Sequence, residues 1–221
     1  GPLSNRAGHD INYLARSGIM SYSGRKETGP GLTGIQIADV ASGSNNAVIG
    51  ILAAVVHRQM SGEGQHVDVS MTDGVVAFNA LSGAAFLADG TEIGFETGFL
   101  NGGSLYDFYE TQDGKFLSFG GLEPQFFAAF CETIGRPDLI EGGVAPPELP
   151  RVKEEVRAIL KTKTRDAWLA LFANVDACVE PVLSLGEALA DPLVSARGMV
   201  VEVDLPGGGT VRQLGHPIRY S

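Results

Sequence analysis

Long apolar runs are missing from this 221-residue chain. No uninterrupted stretch reaches the roughly 20 apolar residues of a membrane span. Residues 1–9 contain no hydrophobic segment of the signal-peptide kind. No membrane partner and a cytoplasmic setting are therefore expected. Cysteine is scarce, with only Cys131 and Cys178. Two cysteines do not make a secreted disulfide scaffold, and two reduced, buried thiols are expected. Positive charge is short as well: 16 Lys and Arg stand against 26 Asp and Glu, a net charge of −10. That balance excludes an electrostatic nucleic-acid binder. No pair of His, Cys, Asp or Glu has metal-ligand spacing, so no metal is expected. No glycine-rich phosphate loop and no G-x-S-x-G nucleophile elbow are read.

What is present is the material of a globular α/β protein. Apolar residues make up 44% and charged residues 19%, enough to bury a core and too ordered in pattern for disorder. The length suits one large domain or one and a half. The 30 glycines imply many turns or close backbone approaches. Charge is uneven. Residues 1–70 hold five Lys/Arg and five Asp/Glu, so the remaining 11 and 21 place the whole −10 on residues 71–221.

The periodicities give a mixed α/β chain. A short helix is expected over residues 10–17, a glycine-rich loop to 34, and a strand-like piece at 35–38 ending on Asp39. Residues 44–60 are apolar round much of a helix, which predicts a buried helix. Alternation of Val67, Val69 and Met71 predicts a strand, and helix follows from Thr72 to Phe86. Residues 89–105 read as a linker. Beyond it come a hairpin around Gln112-Asp113-Gly114, a helix opened by Glu123-Pro124, and helices near 151–162 and 164–173. A strand at 179–183, a short helix at 184–190 and a hairpin around Gly207-Gly208-Gly209 complete the order. The domains expected are 1–88, a linker at 89–105, a small α/β domain at 106–205, and a return segment at 206–221.

Three places set titratable side chains beside unusual backbone. The first is His9-Asp10. A histidine in a loop is ordinarily just a surface residue; it is also the side chain best suited to exchange a proton near neutral pH, with Asp10 to orient or cap. The second is Asp39, an ordinary helix cap or, in the same geometry, a base or nucleophile beside a helix N-terminus. The third is Glu123, in Gly120-Gly121-Leu122-Glu123-Pro124. An acid in a first helical turn is commonplace, but the glycines admit close approach of a ligand or another backbone. His57, His66 and His216 read as structural.

Taken together the segments resemble one family. They are GHDINYL at 8–14, Ile37-Ala38-Asp39, GILAAVVHRQMSGEGQHVDVSMTDG at 50–74, YETQDGK at 109–115, GLEPQF at 121–126, DACVEPV at 176–182, and the closing Asp191-Pro192, Arg197-Gly198-Met199 and GHPI at 215–218. In this order they are similar to the family III CoA-transferases, the CaiB–BaiF family, and within it to the acyl-CoA racemase branch. The resemblance covers the whole chain. It implies the central-to-C-terminal part of a two-domain fold, lacking an upstream region that carries most coenzyme A contacts. The isolated chain is thus expected to be incomplete and inactive.

The resemblance also implies roles. His9 and Asp39 become the two acid/base groups that invert the α-carbon of a 2-methyl-branched acyl-CoA, with Glu123 partnering His9. Asp10 and Tyr13 support them, Tyr13 also as a coenzyme A contact. In the transferases the matching aspartate is instead a nucleophile that forms an acyl anhydride. The implied partners are an acyl-CoA substrate and a second copy of the chain in an interlocked homodimer, with no cofactor beyond the coenzyme A moiety. A degenerate, non-catalytic fragment is the third reading. Residues 42–45 are expected to begin a helix whose N–H groups face the developing enolate oxygen.

Overall fold

The structure, a computed structural model, describes residues 1–220. Its first part is helical. α1 (Asp10–Arg16) leads through a two-strand ribbon, β1 (Gly24–Arg25) and β2 (Gly29–Pro30), to a π-helical segment, Ile37–Ser44, which runs directly into α2 (Asn45–Ser61). An extended stretch then leads to α3 (Met71–Phe78) and α4 (Ala80–Asp89). The two helices are bent by 73° at Asn79. The bend has a cause of the usual kind, a side chain competing for backbone carbonyls. Asn79 Nδ2 donates to the carbonyls of Val75, Val76 and Ser17, while its Oδ1 accepts from the Tyr22 hydroxyl at 2.6 Å.

Three expectations for this region are corrected. Residues 37–44 are helical, not a strand with a helix starting at 42–45. The segment 66–70 forms no ladder; it lies extended against α2, where a Cβ on Gly50 would stand 2.9 Å from Val67 Cγ1. And α2 is not buried: none of its residues is, with Val48, Ile49, Ile51, Leu52, Val55 and Val56 all exposed. The physical reason is that the described residues leave most of its apolar side chains uncovered. Joined to the π-helical segment, α2 also makes a 25-residue helix, Ile37–Ser61, long and apolar enough by length and composition to cross a membrane. The chemical sequence hides this because Asp39, Asn45 and Asn46 interrupt the apolar run that the backbone continues.

The second part has a real core. β3 (Asp107–Glu110), β4 (Phe116–Phe119) and β5 (Val179–Pro181) form an antiparallel sheet in that order. Asp107 pairs with Phe119 and Leu117 with Pro181. α5 (Pro124–Thr133), α6 (Leu149–Leu160) and α7 (Arg165–Phe172) cover it. Phe119 stacks on Phe130 at 4.0 Å between ring centres, and Phe130 on Phe172 at 6.0 Å. The two buried polar rings are satisfied, as buried Tyr and Trp require. Tyr109 donates to the Leu105 carbonyl at 2.7 Å and Trp168 to that of Leu160 at 2.8 Å.

The sequence rules for caps operate plainly here. Pro124 sits in the first turn of α5, Thr164 caps α7, and Ser184 with Glu187 forms a capping box on α8 (Leu185–Ala190). α9 (Pro192–Ala196) precedes the hairpin of β6 (Val200–Asp204) and β7 (Thr210–Leu214). Gly207, Gly208 and Gly209 at its turn all have positive φ. The turn holds the 205/206 boundary, so the two strands form one hairpin across it. Cys131 is buried, and burial pushes its thiol up to about 12. Cys178 is exposed, against the expectation of two buried thiols. It precedes edge strand β5 at the sheet margin with φ +52°. Residues 29–34 do carry a G-x-G-x-x-G spacing, which the reading of the sequence missed. They close the β1–β2 ribbon and run on as exposed loop, without the strand-turn-helix setting of a phosphate loop.

Candidate active site

Each residue of the GHDINYL motif has a physical task. His9 is the N-cap of α1, with extended backbone at φ −125° and ψ 175°. Its N–H donates to Asn12 Oδ1 at 3.0 Å, the reciprocal half of a capping arrangement. Tyr13 turns back and donates its hydroxyl to the Gly8 carbonyl at 3.0 Å. Its ring needs Gly8 to be bare, since a Cβ there would come within 3.1 Å of it. Leu14 is buried against Ala38 and Val75 and anchors the helix. The result is an exposed imidazole on a backbone fixed from both sides.

Asp10 connects this turn to the next candidate. Its Oδ1 accepts the backbone N–H of Ala38 at 2.6 Å and of Asp39 at 3.0 Å. One carboxylate thus caps the helical segment that carries Asp39, and His9 is the residue next to it. Asp39 is half-buried in the first turn of that segment, and its carbonyl accepts from Ser44 Oγ at 2.9 Å. The same bonds correct an expectation. Asp39 lies inside a helical turn, and the N–H groups of Ala38 and Asp39 are occupied by Asp10. They are not available to an enolate oxygen.

A π-helical stretch widens the backbone and often marks a functional segment. Here it is held by close packing on α3. Ser42, fully buried, donates to the Met71 carbonyl at 2.7 Å. A Cβ on Gly43 would lie 2.7 Å from Met71 Cγ, and one on Gly74 would overlap Ser42 Oγ and reach 2.7 Å from Asn46 Nδ2. From the sequence Ser42 reads only as a helix start and Met71 only as a strand position, and Gly74 is passed over; the signal was the glycine in an otherwise helical MTDG. Since Ser42 has no room to turn, Gly74→Ala is expected to destabilise the protein by about 1–3 kcal/mol, the usual cost of overpacking. A urea-unfolding midpoint equal to wild type would contradict this packing.

Glu123 belongs to the other part of the chain. It is the exposed N-cap of α5. The glycines before it serve the chain's own backbone: Gly120 N–H donates to the Cys178 carbonyl at 2.9 Å, and a Cβ on Gly121 would press on the Phe119 ring at 2.7 Å. Among the described residues no hydrogen bond joins Glu123 to His9 or Asp39. The structure therefore links the turn bearing His9 to the turn bearing Asp39 through Asp10, with Tyr13 clasping Gly8, while Glu123 makes no hydrogen bond to either among the described residues. Among the described residues no group of three or more His, Cys, Asp or Glu is placed to hold a metal ion. A cavity of about 520 Å³ opens between the turn after α1 and the α3–α4 bend, lined by Tyr22, Val76, Asn79, Phe86, Leu87 and Ile93, and none of the candidate residues lines it.

An exposed imidazole next in sequence to the aspartate that caps the Asp39 turn is chemistry suited to proton transfer or acyl transfer. The family described as CoA-transferase family III matches residues 1–221, and the chain belongs to that family. It is 34% identical over 196 residues to an alpha-methylacyl-CoA racemase of Mus musculus, covering 86% of this chain and 50% of that protein. It is 29% identical over 228 residues to a succinyl-CoA:glutarate CoA-transferase of the same organism, covering 100% and 52%. Among solved structures, a CAIB/BAIF family protein from Brucella suis superposes with a TM-score of 0.79 at 26% identity, covering 100% of this chain and 58% of that one. The chain spans about half the length of the curated relatives it matches.

Proposed function

We propose that this chain carries the acid/base groups of an acyl-CoA racemase or epimerase that inverts the α-carbon of 2-methyl-branched thioesters. The carrying observation is the Asp10 bridge, which ties the turn bearing His9 to the turn bearing Asp39. The α-proton of a thioester is weakly acidic, and its removal places negative charge on the carbonyl oxygen. In one direction neutral His9 takes that proton while the Asp39 carboxylic acid delivers one to the opposite face. In the other direction the Asp39 carboxylate takes it and the His9 imidazolium delivers. Glu123, which makes no hydrogen bond to His9 within the single chain, is assigned in this reading to stabilise the imidazolium and to fix the tautomer of the neutral ring. Coenzyme A, the substrate's own handle, is the only cofactor in this reading. Tyr13 pins Gly8 through its hydroxyl and in this reading also contacts coenzyme A. The reading also includes a homodimer whose second copy covers the apolar face of α2, and a cytoplasmic setting.

A second reading is favoured by the transferase relatives, which align over 100% of the chain at identities such as 29% and 31%. In it the Asp39 carboxylate attacks the thioester carbonyl and expels coenzyme A thiolate, leaving an acyl anhydride. The thiolate then attacks the aspartyl carbonyl and releases the acyl carboxylate. The test uses the full-length protein with a 2-methylacyl-CoA in D₂O. Deuterium wash-in at the α-carbon with interconversion of the two epimers is the expected result. A hydroxylamine-sensitive adduct on Asp39 without wash-in would replace the racemase by the transferase.

A further inference from the structure

Asp107 is a buried aspartate outside the proposed machinery, its side chain 3% exposed. Arg25 grips it with both terminal nitrogens, Nη2 to Oδ1 at 2.6 Å and Nη1 to Oδ2 at 3.2 Å. Lys153 Nζ stands 2.9 Å from Oδ2 and donates to the Gly102 carbonyl at 2.6 Å. Arg157 adds a third cation at 3.7 Å. Arg25 also donates to Glu96 at 3.1 Å, and Glu96 accepts the Lys26 N–H at 3.2 Å. The cluster closes over a glycine: Gly102 has φ +99°, and a Cβ there would come 3.3 Å from Arg25 Nη1 and 3.5 Å from Lys153 Nζ. Burial pushes the Asp107 carboxyl up, but the bonds from Arg25 and Lys153 outweigh it and hold the group below the ordinary carboxylate range.

This cluster joins two parts of the chain with different tasks. Arg25 stands on the ribbon between α1 and the segment bearing Asp39, whereas Asp107 opens the sheet that leads to Glu123. A second tie runs beside it: Asn101 Nδ2 donates to the Tyr22 carbonyl at 2.9 Å, and Tyr22 in turn holds Asn79 at the α3–α4 bend. Stability is a poor explanation for such an arrangement. Desolvating several charges costs as much as their attraction returns, and apolar packing would serve as well. What a two-pronged guanidinium–carboxylate contact supplies is a fixed orientation.

We propose that Arg25 and Asp107 are positioning residues, whose ion pair sets how the His9–Asp39 unit is presented relative to the unit carrying Glu123. The inference rests on the acid/base reading above. It is tested in the full-length protein with Arg25→Met, Arg25→Lys and Glu96→Gln, with Arg151→Met as control, because among the described residues Arg151 pairs only with Glu148 and Glu155 at the surface of α6. Misplacement of about an ångström costs up to about 10²-fold in rate, so Arg25→Met is expected to lower kcat about tenfold with KM nearly unchanged. Arg25→Lys should recover part of that loss, Glu96→Gln should lower kcat a smaller amount, and Arg151→Met should leave it unchanged. A folded Arg25→Met with wild-type kcat overturns the proposal. If Arg25→Met does not fold, Glu96→Gln decides: reduced kcat at unchanged KM supports the proposal, and wild-type kcat overturns it. Failure of the racemase reading looks different, since the wild type then incorporates no deuterium. The same variants are in that case read on thioester-to-carboxylate transfer.

Discussion

His9→Ala in the full-length protein is expected to slow epimer interconversion by about 10²- to 10⁴-fold, the usual contribution of a general acid/base group. Folding should be untouched. His9 is exposed, and what it contributes to α1 is backbone: the N–H held by Asn12 and the carbonyl that accepts from Asn12 N–H at 2.8 Å. Alanine keeps both, and the Tyr13–Gly8 clasp does not involve the imidazole. The sharper expectation is asymmetry. With one of two bases removed, the epimer whose α-proton faces Asp39 still exchanges with D₂O, while the epimer facing residue 9 does not. Asp39→Asn should show the mirror pattern. Chiral analysis of deuterium incorporation, run from each epimer separately, checks this. Near-normal interconversion in His9→Ala would falsify the role of His9 as a base.

The sequence revealed most where local rules decide. The cap at Thr164, the proline that opens α5, the Gly114 turn of the β3–β4 hairpin and the three-glycine turn of the last hairpin lie where the residues predict. It failed where a distant partner decides. Residues 37–44 read as strand then cap, because Ile-Gln-Ile-Ala is apolar and β-branched; the Asp10 carboxylate, 28 positions away, captures their N–H groups and starts a helix there. Val67 and Val69 alternate like a strand but meet a helix face at Gly50 instead of another strand. α2 shows the same limit for burial. Its composition asks for a covered helix, yet covering depends on surfaces that no local pattern contains. Of the site, His9, Asp10 and Asp39 were legible as types and the Asp10 bridge was not. The contribution of Asp107 was hidden too, since one acid in Tyr-Asp-Phe-Tyr-Glu gives no sign of three cations converging from elsewhere.

That bridge makes Asp10 the residue whose loss couples stability to activity. Asp10→Ala removes two charge-assisted hydrogen bonds at once, and the Ala38 amide it abandons belongs to a fully buried residue. Hydrogen bonds to a charged group contribute about 1.5–3 kcal/mol each, so with partial relaxation the expected destabilisation is roughly 2–4 kcal/mol. Asp10→Asn retains an acceptor oxygen in nearly the same place and should lose about half as much. The effect on catalysis follows from geometry. Without its cap the first π-helical turn is free to unwind, and Asp39, which sits in that turn, leaves the register that Ser44 and the Ser42–Met71 contact hold further along. Displacement of a reacting group by about an ångström corresponds to about 10²-fold in kcat. Two measurements on the full-length protein separate the links of this chain. Amide hydrogen exchange at Ala38 and Asp39 should accelerate in Asp10→Ala and much less in Asp10→Asn, while amides in the core under β4 and α5 keep their protection. Epimer interconversion should fall in the same order as that protection. Amides at 38 and 39 as protected in Asp10→Ala as in wild type would mean that the cap is dispensable. Accelerated exchange with undiminished turnover would instead mean that Asp39 needs no fixed turn to work, and would shift the catalytic burden to His9 alone.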